Sequence, residues 1–181
     1  AEVRYNYKIG HNQHLVGRMM AGAIYSYGNA RISPYNEQFY IGGANSLRAF
    51  TIRSIGPGRY HPEENNTYSY LDQTGDLKFE ANLEYRFPIL GDLHGAAFID
   101  TGNIWLIRND DQRPGGQLKW GRFLKDLALD AGVGLRYDLT FIVIRLDMGI
   151  PLHVPYETDK NGYFNVPKYT PGWHLAIGYP F

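Results

Sequence analysis

The stretch Leu77–Phe87, LKFEANLEYRF, alternates without a break. Leu77, Phe79, Ala81, Leu83, Tyr85 and Phe87 share one face of a strand; Lys78, Glu80, Asn82, Glu84 and Arg86 share the other. A strand places successive side chains on opposite faces, so one face here is apolar and the other almost fully charged. The pattern returns later. Leu127, Leu129, Ala131, Val133, Leu135 and Tyr137 oppose Ala128, Asp130, Gly132, Gly134 and Arg136, and Ile142, Ile144, Leu146, Met148 and Ile150 oppose Arg145, Asp147 and Gly149. An antiparallel soluble sandwich would turn its charged face to water, and a lipocalin-like barrel would have an apolar interior. A membrane β-barrel turns the apolar face to lipid and the charged face to a polar lumen.

Seven strands are expected: Glu2–Ile9, His14–Tyr27, Leu77–Pro88, Leu93–Leu106, Leu127–Tyr137, Phe141–Leu152 and Trp173–Phe181. Most are near the ~9–11 residues a tilted strand needs to cross the hydrocarbon layer. Tight turns near Gly10–Gln13, Ile89–Asp92 and Asp138–Thr140 alternate with long connections at about 28–76, 107–126 and 153–172. Short and long loops on opposite rims are the habit of outer-membrane barrels, and this places the C-terminus on the periplasmic side. Tyr25, Tyr27, Trp105, Trp173, Tyr179 and Phe181, near strand ends, fit interfacial aromatic girdles. An odd strand count leaves the two ends on opposite rims, so the sheet edges need cover. A further strand near Thr67–Leu71, or self-association of two copies, would supply it.

Charge is balanced, with 18 basic and 18 acidic residues, which argues against a nucleic-acid partner. The chain has no cysteine, permitting an oxidising compartment without requiring one. No Gly-x-Ser-x-Gly or phosphate-cradling Gly-Lys sequence is present, and His11, His14, His61, His94, His153 and His174 are scattered without a zinc signature. The expectation is no catalytic residue, no metal and no cofactor. A rim hydrolase built on Asp110-Asp111 and a histidine is the weaker rival, since those acids more simply solvate a loop.

The longest loop carries FYIGGANSLRAFTIRSIGPGRY, Phe39–Tyr60, with aliphatic and aromatic anchors around one prominent cation, Arg48. A long loop is entropically expensive unless it packs, so this one is expected to fold into the polar interior. Arg48 then needs carboxylates, and the inward parity offers Glu80, Glu84 and Asp100.

These residues resemble the BamA/TamA-type outer-membrane assembly factors of the bacterial surface antigen superfamily, over essentially the whole chain. Gly42-Gly43-Ala44-Asn45-Ser46-Leu47-Arg48-Ala49-Phe50, followed by Ile55-Gly56-Pro57-Gly58, is similar to the family's Gly-Gly, Ser, hydrophobic-Arg-Gly-aromatic loop motif. Ala49 stands where the family usually has Gly. Phe98-Ile99-Asp100-Thr101-Gly102 is similar to its Phe-x-Asp-x-Gly strand motif. The resemblance implies the C-terminal seven or eight strands of a barrel of about sixteen, with earlier strands and periplasmic POTRA domains upstream. It also implies that the loop tucks into the lumen and that Arg48 contacts Asp100 and Glu84. The last strand, with Trp173, Ile177, Gly178, Tyr179 and Phe181, would carry an assembly signal and form a weak lateral seam, because Gly packs nothing and Pro180 cannot donate to a ladder. The implied function is a non-enzymatic insertase that templates client strands at that seam, with the bilayer, unfolded outer-membrane clients and accessory lipoproteins as partners. A two-partner-type secretion pore, or the barrel of a secreted lipase-like protein, shares both motifs.

Overall fold

The computed structural model describes residues 1–27, 33–62 and 73–181. The expected strand near Thr67–Leu71 lies outside the described residues. Among the described residues, seven strands form one antiparallel sheet in chain order: β1 (Glu2–Gly10), β2 (Gln13–Ala23), β3 (Leu77–Leu90), β4 (Leu93–Trp105), β5 (Ala128–Asp138), β6 (Val143–His153) and β7 (Gly172–Ile177). Every strand pairs with its sequence neighbour, so the sheet is an open meander, the form taken by a stretch of barrel wall.

Left-handed residues close the tight turns. Asn12 (φ 57°), Gly91 (φ 53°) and Thr140 (φ 72°) sit between β1 and β2, β3 and β4, and β5 and β6. Thr140 tolerates its conformation where the Asp138 carboxylate accepts its N–H at 2.9 Å. Two expected strands stop four residues short at their C-terminal ends. β2 ends at Ala23 rather than Tyr27, and Ile24 N–H donates to Asp76 O at 2.8 Å as the chain leaves the ladder. β7 ends at Ile177 rather than Phe181, because Gly178 takes φ 85° and turns the chain out of extended geometry.

The burial pattern decides between the two readings of the alternation. Leu83, Ile99, Val133 and Leu175 are 46%, 51%, 53% and 76% exposed, whereas Glu80, Glu84, Asp100, Asp130, Arg136 and Asp147 are all at 0%. A water-soluble sandwich would bury the first set and expose the second. The sheet is inside-out. Its charged face is covered by the segment 33–62, which lies across β2–β6, and Ile41, Leu47, Phe50 and Ile55 from that segment pack with Ile104, Ala128, Val154 and Val166 near the long-loop rim.

Trp105 departs from its expected place in an exposed girdle. It points to the outer face but is 1% exposed, because Phe123 from the 3₁₀ segment Trp120–Lys125 stacks on it at 5.5 Å. Trp173 and Tyr25 are exposed, at 61% and 64%.

Candidate functional site

The loop's conformation is built at Gly42 and Gly43, with φ of 100° and 94°. A Cβ on Gly42 would lie 2.1 Å from Thr51 O, so no other residue fits this closure. Gly43 N–H donates to Phe50 O at 2.8 Å, Ser46 N–H to Gly43 O at 3.0 Å, and Gly42 N–H to Ser46 Oγ at 3.1 Å. These bonds cinch Gly42–Phe50 into a knuckle whose tip is Arg48. Ala49 keeps a negative φ and needs none of glycine's freedom there.

Arg48 is fully buried. Its Nε donates to Asp100 Oδ2 at 2.8 Å and its Nη2 to Asp100 Oδ1 at 2.9 Å, while Nη1 donates to Glu84. The Phe98 ring lies 3.4 Å beneath the guanidinium carbon, adding a cation–π contact on the face the carboxylates leave open. The pairing continues along the wall. Glu84 also accepts from Arg86 at 2.7 Å and Arg136 at 3.0 Å, and Asp147 accepts from Arg136 at 2.5 Å and Arg145 at 2.9 Å. Charges removed from water are tolerable when they are paired and hydrogen-bonded in this way.

Asp100 and Asp130 stand directly opposite each other in the β4–β5 register. Like charges so placed repel. The knuckle's backbone relieves them: Arg48 N–H donates to Asp100 Oδ2 at 3.3 Å and Ala49 N–H to Asp130 Oδ2 at 3.2 Å.

Glu80 does not reach Arg48. It pairs with Arg18 and with Lys78 (2.9 Å), and accepts from Ser46 Oγ at 3.0 Å, so it holds the start of the knuckle rather than its tip. Gly102 leaves room for the loop, since a Cβ there would come within 2.7 Å of Ile41 Cδ1 and 2.6 Å of Phe79 O.

Several residues of this site escaped the sequence reading. Arg18, Asn82 and Arg145 donate to the carbonyls of Asn45 (2.9 Å), Ser46 (2.9 Å) and Ala44 (3.0 Å), so the wall grips the loop backbone while the loop grips the wall carboxylates. Asn82, on the charged face by parity, is 4% exposed and also donates to Asp100 at 2.9 Å. Gly149 and Gly172 are cross-strand partners and form a saddle under the knuckle. A Cβ on Gly149 would lie 2.8 Å from Ala49 N, and one on Gly172 3.0 Å from Arg48 O. Inward parity beside charged neighbours was the available signal for Arg18, Asn82 and Arg145, and nothing comparable marked Gly172.

The C-terminal residues divide. Trp173 and Ile177 project from the outer face of β7, 61% and 72% exposed. Strict alternation would put Tyr179 and Phe181 beside them. Gly178 breaks the alternation, and both rings turn to the charged face: Arg86 lies 4.2 Å from the Tyr179 ring centre, and Arg18 lies 5.2 Å from that of Phe181. Arg86 Nη2 also donates to Phe181 O at 3.4 Å. The acids Asp110 and Asp111 serve their loop, Asp110 accepting from Arg113 at 2.7 Å and Asp111 from Asn109 at 2.9 Å.

A family model described as the Omp85 superfamily domain matches residues 1–181. An outer membrane protein assembly factor BamA from Nitratidesulfovibrio vulgaris is 29% identical over 153 residues, covering 83% of this chain and 17% of that protein. The chain thus spans under a fifth of the length of this relative. The crystal structure of BamA from Haemophilus ducreyi lacking POTRA domains 1–3 aligns with a TM-score of 0.60 at 16% identity, covering 98% of this chain and 34% of that one. The fold is that of a stretch of such a barrel wall.

Proposed function

Because the chain belongs to the Omp85 superfamily, we propose that it forms the C-terminal wall of a larger outer-membrane barrel that folds and inserts other β-barrel proteins. The observation that carries the reading is the contrast between a locked wall and a weak terminal strand. β3 runs for 14 residues and is latched to the loop by Glu84 and Glu80, whereas β7 runs for 6 and leaves the ladder at Gly178. In a closed barrel β7 would meet the first strand across a short ladder. Such a seam opens at low cost, and a client strand adds to the freed edge through main-chain hydrogen bonds, which give affinity without demanding a sequence. The step is templating rather than catalysis: no bond in the client is made or broken, and the latched loop keeps the rest of the wall rigid while the seam gives.

On this reading the apolar face meets lipid, the long loops face outward, and Phe181 lies at the periplasmic rim. Earlier strands and POTRA domains precede this segment in the full-length protein, and unfolded outer-membrane proteins are its clients, delivered with the help of accessory lipoproteins.

The test is depletion of the full-length protein in its own cell, with quantification of the outer-membrane proteome and of secreted proteins. A broad fall in unrelated barrels is expected. Loss of a single exported protein with other barrels intact would overturn the insertase reading in favour of a dedicated secretion pore.

A further inference from the structure

The connection between β4 and β5 does more than close a hairpin. Its 3₁₀ segment, Trp120–Lys125, does not sit over the lumen. Phe123 packs on Phe79 at 5.3 Å and on Trp105 at 5.5 Å. Phe79 has the outward parity of Leu83, and Trp105 that of Ile99, so the segment is folded down onto the outer face of the wall at the long-loop rim.

Phe123 is the side chain that fastens it. Trp120 and Leu124 are left 80% and 71% exposed, beside a wall whose own exposed residues on this face are apolar. A 3₁₀ helix has three residues per turn, so positions three apart align in ridges. Lys119, at the N-cap, Arg122 and Lys125 fall on one such ridge, and all are exposed. The acidic residue next to them, Asp126, is 2% exposed and lies 3.6 Å from Arg122, and Arg122 and Lys125 open onto a cleft they share with Glu157 and Lys160 of the connection after β6. A basic ridge beside a Trp and a Leu, both continuous with a lipid-facing wall, is the chemistry of an interfacial segment on an anionic membrane surface.

We propose that Trp120–Lys125 is an interfacial anchor, with Trp120 and Leu124 entering the acyl boundary and Lys119, Arg122 and Lys125 binding the phosphates of anionic lipid headgroups on the long-loop side. The anchor ties this rim of the wall to the membrane surface and fixes how deep β3 and β4 sit. The inference rests on the reading of the sheet as a membrane-crossing wall with its long loops on one side.

The experiment uses the full-length protein in phosphatidylcholine nanodiscs, with or without a minor fraction of bisphosphorylated lipid A. Lipid retention is read by native mass spectrometry of the released protein, and depth by nitroxide accessibility at Leu124→Cys and, separately, Leu83→Cys. Lys119→Gln/Arg122→Gln/Lys125→Gln should lower lipid A retention by about tenfold or more, with dephosphorylated lipid A retained equally poorly by both proteins. The Leu124 label should become less accessible to a water-soluble relaxant when lipid A is present. Retention unchanged in the triple variant, a Leu124 label that lipid A does not shield, or full displacement by inorganic phosphate, which would mark a free-phosphate site, overturns the anchor. A water-accessible label at Leu83 would instead sink the membrane-wall reading beneath it, so the two failures are distinguishable.

Discussion

Arg48 and Asp100 meet through two parallel hydrogen bonds, Nε to Oδ2 at 2.8 Å and Nη2 to Oδ1 at 2.9 Å, across 52 positions of sequence. This two-point geometry is the strongest form of a guanidinium–carboxylate contact, and it fixes orientation as well as distance. It joins the tip of the loop to the fourth strand of the wall.

Arg48→Glu in the full-length protein leaves Asp100 and Glu84 without their shared cation and adds a third carboxylate. The expected loss is about 3–5 kcal/mol, the scale for breaking one side of a buried pair. Adding Asp100→Arg should recover part of it. The urea midpoint in detergent micelles checks both; a harmless single change or no recovery in the double would remove the pairing from the account.

The saddle makes a prediction that charge does not enter. Gly149→Ala places a methyl 2.8 Å from Ala49 N and 2.9 Å from Arg48 C, both backbone atoms that cannot swing aside. The knuckle must lift, at a cost of about 1–3 kcal/mol typical of overpacking. Faster hydrogen exchange at the Ala49 amide, now bonded to Asp130, is the direct readout; unchanged protection would show that the loop does not rest there.

Leu83→Arg tests the inverted sheet. Leu83 projects from the outer face of β3, and an arginine facing the bilayer midplane costs about 2–4 kcal/mol. Leu83→Phe, which stays apolar, should be near neutral. Unfolding midpoints in lipid vesicles compare them, and equal stability would point to a water-facing sheet.

Acid should loosen the β4–β5 connection. Burial works to raise the Asp110 carboxyl, but the Arg113 guanidinium and the Gln112 N–H outweigh it and hold it below the ordinary aspartate range. A carboxyl lowered on folding contributes stability that is present above its ordinary pKa and is lost as pH falls through the folded value. The protection factor at the Arg113 amide, which donates to Asp110 O at 3.1 Å, should therefore fall on acidification through that window once the intrinsic pH dependence of exchange is divided out. Asp110→Asn should flatten the response; a variant with the same pH dependence would exclude this carboxyl as its source.

Much of the wall was legible because a strand's two-residue period writes its faces directly into the sequence. Leu83 against Glu84, Ile99 against Asp100 and Leu146 against Asp147 assign outside and inside with no knowledge of the partner strands. The conjunction of Arg48 with inward carboxylates was likewise legible, since a buried cation has few chemically acceptable neighbours. The fine division of partners was not: Glu80 lies on the same face and strand as Glu84, four residues away, and only the register against β2 gives it to Arg18 instead of Arg48.

The sequence by itself determined the strands, their order of faces and the reversal of apolar and charged sides, all of which follow from local periodicity. Only the tertiary structure decided that Gly149 and Gly172 come together as a bed for the knuckle, that Gly178 turns Phe181 inward to the arginines, and that Phe123 folds back over Trp105. Each of these depends on the meeting of segments distant in sequence. A glycine's empty space, a single left-handed residue or an aromatic ring leaves no periodic trace of what will come to rest against it.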